Sequence, residues 1–325
     1  MKRTVLVIGG LTFLAATISI FAAPSVAASA ANPVVGYLQF FRRWDTPADD
    51  HAAELFSRIV KPAPTWAEVQ RLVPRGSETR ALFERHLASF EEAADLIRTG
   101  RMSEDLFFDA WYAMPGAWTR AQPYVIGMRI DSGNPRLYQG FEWLASHAEA
   151  FWAARDKHPP HWHPIVDRAP TVDDVAIYES FALIWATPRD DVGREFFAAL
   201  EKRAPTPAEF VALVPAGSEE YTKFDRVMCA YDQAGALMKN GILHPALFFR
   251  AWRSPREIWV SAGSWVQALR ASKENTAQLY DNVEWLVSFE REWRANEKKS
   301  SARSAQGAVH WGRAGPTNAG NVPHH

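Results

Sequence analysis

The strongest constraint on this chain is that it contains itself twice. Val34 to Arg129 aligns with Val175 to Arg270 at a constant offset of 141 residues, without a gap. Roughly a third of the aligned positions are identical. Leu72-Val73-Pro74-Arg75-Gly76-Ser77-Glu78 stands against Leu213-Val214-Pro215-Ala216-Gly217-Ser218-Glu219. Leu106-Phe107-Phe108-Asp109-Ala110-Trp111 stands against Leu247-Phe248-Phe249-Arg250-Ala251-Trp252. After one inserted residue the match resumes, pairing Leu137-Tyr138 with Leu279-Tyr280 and Glu142-Trp143-Leu144 with Glu284-Trp285-Leu286. A unit of about 125 residues is too long for a solenoid repeat. The chain therefore reads as two homologous domains, or as two halves of one pseudo-twofold domain.

Each copy reads as helices. Thr46-Pro47-Ala48-Asp49 and Thr187-Pro188-Arg189-Asp190 place a capping Thr before Pro at the first helical position. Thr65 with Glu68, and Thr206 with Glu209, have capping-box spacing. Ser77 and Ser218 precede the longest helix, and Asn134-Pro135 is expected to open the last helix of the first copy. In the long helix Phe83, Leu87, Phe90, Ala94 and Ile97 share one stripe, matched by Phe224, Met228, Tyr231, Gly235 and Met238. Ala94 and Gly235 suit a close helix crossing, and Gly100 and Gly241 suit a left-handed helix end. No alternating run carries hairpin chemistry, so strands should be nearly absent. The expected fold is all-α, two homologous helical-bundle repeats in tandem, each of about six helices, after an N-terminal signal or anchor helix.

The division of the chain follows its composition. Lys2 and Arg3 precede an apolar run over residues 4–23, and Pro24 to Ala31 supplies A-x-A cleavage sites. Residues 1–31 thus read as a signal peptide, or as a signal anchor holding the chain in the inner membrane. The expected destination is exported, periplasmic or extracellular. The first repeat then spans 32–157, a Pro- and His-rich linker 158–171, the second repeat 172–299, and a disordered tail 300–325.

Composition narrows function by exclusion. Lys and Arg number 36 against 37 for Asp and Glu, so no basic field awaits a nucleic-acid backbone. The single cysteine, Cys229, excludes an internal disulfide, and its place opposite Ala88 reads as a small buried thiol. There is no glycine-rich phosphate loop, no G-x-S-x-G elbow and no H-E-x-x-H, so the reading leans away from an enzyme and implies no cofactor.

The oddest residues are two arginines on apolar stripes. Trp118, Gln122, Val125 and Arg129 fall on one helix face, and Trp259, Gly263, Val266 and Arg270 repeat the pattern. A buried guanidinium needs a carboxylate or an aromatic face. Glu142 and Glu284 on the following helix are the expected partners, with Glu84 and Asp225 as second choices. The simplest reading is a clamp between two helices. The alternative is a site for an anionic or aromatic ligand built from Arg129, Glu142, Arg270 and Glu284. His158, His161 and His163 could hold a transition metal weakly, although prolines keep them extended and no acidic partner is near. His310, His324 and His325 lie in the tail. Trp111, Trp118, Trp143 and Trp152, with counterparts Trp252, Trp259, Trp285 and Trp293, read as core or as a partner-facing patch.

Taken together, each copy shows an F-E/D-R helix, L-F-F-x-A-W, a second Trp seven residues on, an Arg, and L-Y-x-x-x-E-W-L. This pattern resembles a bacterial family of uncharacterised small helical proteins that often carry one N-terminal membrane segment. The resemblance covers the last half of each copy. It implies an all-α fold and membrane association, and it carries over no functional residues. The function expected is a non-enzymatic binding or scaffolding module of the cell envelope, with an unknown protein partner. Small-ligand binding and weak metal binding are the alternatives.

Overall fold

The computed structural model describes residues 32–60, 65–111, 114–157, 162–166, 168–271 and 278–311, with backbone alone for 60, 156–157 and 300–311. The first copy runs α1 (Pro33–Trp44), α2 (Pro47–Val60), α3 (Trp66–Leu72), α4 (Glu78–Arg98), α5 (Glu104–Ala110), α6 (Met114–Ser132) and α7 (Gln139–Lys157). The second runs α8 (Val172–Trp185), α9 (Pro188–Arg203), α10 (Pro207–Leu213), α11 (Glu219–Lys239), α12 (Pro245–Ala251), α13 (Pro255–Ala271) and α14 (Asp281–Trp311). No strand occurs among the described residues. The all-α tandem repeat is as expected, with seven helices per copy among the described residues rather than about six. The segment expected to be a signal or anchor, 1–31, lies outside the described residues.

The helix starts follow from their caps. The Thr65 amide donates to the Glu68 carboxylate at 2.8 Å while the Glu68 amide donates to the Thr65 hydroxyl. Thr206 and Glu209 repeat the box. Each cap satisfies amides that the first turn leaves unpaired, worth about 1 kcal/mol. Gly100 and Gly241 adopt φ of 67° and 66°, the left-handed conformation that ends α4 and α11. The stripe from Phe83 to Ile97 is buried, as is its counterpart from Phe224 to Met238.

The close crossing has changed sides between copies. A Cβ on Gly235 would lie 2.5 Å from the Asn282 carbonyl oxygen, so α11 meets α14 through glycine on α11. In the first copy the glycine is Gly140 on α7, and Ala94 on α4 provides the facing methyl.

Two sequence expectations need correction. Asn134-Pro135 opens a turn rather than the last helix, and α7 begins at Gln139. The Asn134 side chain accepts from the Arg136 amide at 3.0 Å, and Tyr138 then turns left-handed with φ 56°. Tyr280 does the same in the second copy with φ 58°. A left-handed tyrosine cannot continue a helix, so α7 starts about one turn later than Asn134-Pro135 indicates. The second is the tail expected over 300–325: residues 300–311 continue α14, and 312–325 lie outside the described residues. The α14 backbone is helical past Lys299 to Trp311, because the Ala-, Arg- and Gln-containing stretch has adequate helix propensity to extend an existing helix.

The two copies pack in one direction, not about a symmetric seam. Helix α11 lies on α9 and α14 of its own copy and on α5 and α2 of the first copy. Its counterpart α4 finds its main neighbours, α2, α7 and α1, in its own copy. Most residues of α11 from Phe224 to Lys239 are consequently buried. The linker contributes as well: the His163 amide donates to the Lys239 carbonyl at 3.0 Å, and Trp162 lies between Arg155 and Lys239.

Candidate functional site

The Arg stripes form clamps at the left-handed corners. Arg129 Nε donates to the Leu137 carbonyl and its Nη2 to Glu142, both at 2.8 Å. Arg270 Nε donates to the Leu279 carbonyl at 2.9 Å, with Glu284 at 3.0 Å and Asp281 at 2.7 Å. The carbonyl partner immediately precedes the strained tyrosine in each copy, so the guanidinium holds that corner against α6 or α13. Glu84 and Asp225, the second choices, serve elsewhere: Glu84 takes Arg80 at 2.6 Å, and Asp225 accepts from the Tyr280 hydroxyl.

The histidine reading finds little assembly. His158 and His161 lie outside the described residues, and His163 is exposed. Among the described residues no group of three His, Cys, Asp or Glu is placed to hold a metal. Cys229 is partly buried, and desolvation together with Asp225 and Asp232 pushes its thiol well up, which keeps it protonated.

The junction between copies carries the densest electrostatics. Arg226 on α11 sends Nη1 to Asp45 at 2.6 Å and Nε to Asp190 at 2.8 Å. Arg189 adds Nη2 to Asp45 at 2.7 Å. Burial raises the Asp50 carboxyl to about 6, with Arg189 and Arg226 opposing. A second layer joins the copies through Asn282, whose amide nitrogen donates to the Asp109 carbonyl at 3.0 Å and to Asp232 at 3.1 Å. Lys239 Nζ donates to Asn282 at 2.6 Å, and burial lowers its pKa.

Beside this junction lies a pair of matched cavities. That of the first copy, about 350 Å³, is lined by Phe56, His86, Phe90 and Trp111 and is walled on one side by the second copy's Trp185, Cys229 and Gln233. The equivalent cavity of the second copy, about 380 Å³, is lined by Phe197, Val227, Tyr231 and Trp252, at the corresponding positions. Every residue lining it belongs to the second copy. Two substitutions within the duplication set its shape: Ala182 replaces Phe41, and Val227 replaces His86. In the first copy the Phe41 ring packs 4.8 Å from Tyr37 and 6.0 Å from Trp111. Removing it leaves Tyr178 and Trp252 facing space, rimmed by Arg194 and Arg253. The sequence reading missed this cavity, although the Phe-to-Ala and His-to-Val differences between copies were its available signal.

Fold and junction together define an all-α tandem-repeat protein in which, among the described residues, one of two matched cavities is walled by the sister copy and the other is not. The chain belongs to the family of a domain of unknown function, DUF4760, whose model matches residues 12–148 and 177–293. The two matches bear out the resemblance to an uncharacterised helical family present in two copies. No curated protein and no solved structure matches the chain.

Proposed function

We propose that this protein is a non-enzymatic binding or scaffolding module of the cell envelope, and that the cavity of the second copy is its binding surface. One observation carries the reading: in the first copy the equivalent cavity is walled by a helix, and in the second no such wall occurs among the described residues. Apolar cavities flanked by aromatic side chains and arginines are the usual centres of interfaces. Export rests on the basic start and apolar run of residues 1–31. Among the described residues no helix is long and apolar enough to cross a membrane.

Ligand binding at Arg129 and Arg270 has less support, because each guanidinium is already held by a main-chain carbonyl and a carboxylate. The test is a photo-crosslinking residue at Ala182 in cells, followed by fractionation. A covalent protein adduct in the envelope fraction is expected. Adducts equal to those from a control probe at exposed Ile130, or a chain confined to the cytosol, would defeat the proposal.

A further inference from the structure

The internal junction uses the cavity of the first copy and the α11 face of the second. Among the described residues two matching surfaces are left uncovered: the cavity of the second copy and the corresponding face of α4. We propose that these two surfaces bind each other between molecules, so that the chain associates head to tail with a second copy of itself. This rests on the reading of the second cavity as a binding surface.

The α4 face reproduces the local geometry of the α11 face. Trp44 Nε1 donates to Glu92 at 2.8 Å, as Trp185 Nε1 donates to Gln233. Glu91 accepts from the Phe141 amide at 2.7 Å, as Asp232 accepts from the Asn282 amide at 3.1 Å. Ala88 stands where Cys229 walls the first cavity. Across the internal junction Gln233 donates to the Tyr37 hydroxyl at 3.2 Å. At the corresponding place an incoming Glu92 meets Tyr178, a lining residue of the free cavity, whose hydroxyl can donate to the carboxylate.

The charge differences between copies fit at three pairs, whereas the facing Asp109 and Lys239 become Arg250 and Arg98, a like-charged pair, and the Asp45 partner of Arg226 becomes Ala186. Ala53 and Asp225 line one small cavity at the internal junction. Their counterparts are Arg194 and Glu84, which makes that approach an ion pair. Arg226 lies 3.8 Å from Asp50, and the counterparts Arg85 and Asp191 keep the same signs. The Arg189–Asp45 bridge is replaced on both sides at once, by Ala48 and Ala186, so neither partner of that pair is stranded. Beside the cavity, α8 leaves Leu183 58% exposed, at the position of Arg42, which lines the groove between α1 and α8. An α1 helix arriving with the next molecule would cover it.

The proposal is tested on the full chain by sedimentation velocity over a concentration series. The unmodified protein is expected to form dimers and longer species. Ala88→Arg, which blocks the α4 face, and Arg194→Glu, which reverses the cavity rim, should each weaken association about tenfold or more. An equimolar mixture of the two variants keeps one good cavity and one good face, and should give a one-to-one dimer and nothing larger. Glu84→Arg combined with Arg194→Glu in one chain should restore association. Thermal melts show whether each variant is folded, and the mixture does not depend on Glu84→Arg folding. A protein that stays monomeric throughout, an association indifferent to both Ala88→Arg and Arg194→Glu, or a mixture that remains monomeric overturns the proposal. If the chain is monomeric while a probe at Ala182 still captures a different protein, head-to-tail association fails and the binding-module reading stands. If Ala182 captures nothing either, both fail.

Discussion

Arg226 and Asp45, 181 positions apart in the chain, meet through two hydrogen bonds of 2.6 and 3.2 Å. The arginine is only 7% exposed and the aspartate 14%. Their contact joins the end of α1 to the middle of α11, and Asp190 takes the remaining guanidinium edge.

Asp45→Ala should therefore destabilise the protein by about 2–3 kcal/mol, below the range for a fully orphaned buried charge because Asp190 remains. The turn itself tolerates alanine, since Ala186 occupies the equivalent site. Urea denaturation of Asp45→Ala beside a surface control, Asp173→Ala, measures the difference. Equal midpoints would show that the bridge contributes nothing.

The corner clamps predict a discrimination between basic residues. Arg270→Lys keeps the charge but loses the planar fork that reaches Leu279, Glu284 and Asp281 together. The partners Asp281 and Glu284 are about half exposed, so a loss near 1 kcal/mol is expected. Lysine should recover little of the loss seen with Arg270→Gln in thermal melts. Full recovery by lysine would reduce the clamp to a simple charge effect.

Helix propensity and packing disagree at Gly235, and packing should win. Gly235→Ala gains up to about 1 kcal/mol of propensity but drives a methyl into the Asn282 carbonyl. The net expected change is a loss of about 1–3 kcal/mol. Ala94→Gly, at the matching site, should cost only about 1 kcal/mol of propensity, because Gly140 already supplies the space. Chemical denaturation of the two variants gives the comparison.

His86 gives a pH signature. Burial between Phe56 and Phe90 lowers its pKa from 6.5 to about 4, with Asp49 opposing. As pH falls below 6.5 the unfolded chain takes up this proton before the folded one does. Stability from this residue is thus fully present above 6.5 and is lost progressively down to about 4. The loss should approach about 3 kcal/mol. His86→Val borrows the counterpart Val227 and should flatten that part of the stability–pH curve; an unchanged slope would assign the dependence to other groups.

Much of this architecture is readable from residue order. The Phe83 to Ile97 stripe, the Thr caps and the Gly100 and Gly241 helix ends are local features, and local chemistry decides them. The Arg129–Glu142 and Arg270–Glu284 pairs were legible because a guanidinium on an apolar face demands a carboxylate. The Leu137 and Leu279 carbonyls were not, since a main-chain acceptor leaves no mark in a side-chain pattern. Tyr138 displaced the start of α7 from Asn134-Pro135 because left-handed backbone at tyrosine is imposed by the corner, not by propensity. The direction of packing was hidden in positions where the copies differ, such as Asp45 against Ala186 and Arg189 against Ala48, whereas the alignment draws attention to positions where they agree.

Helix α11 holds the deepest consequence for the molecule's behaviour. It serves as a central pillar for its own half and as a wall for the other. Severing the chain between the repeats would therefore not release two self-sufficient pieces, because the first would lose the side of its cavity that α11 supplies. Heating should melt the described body as one cooperative unit, and amide exchange should be slowest along this helix.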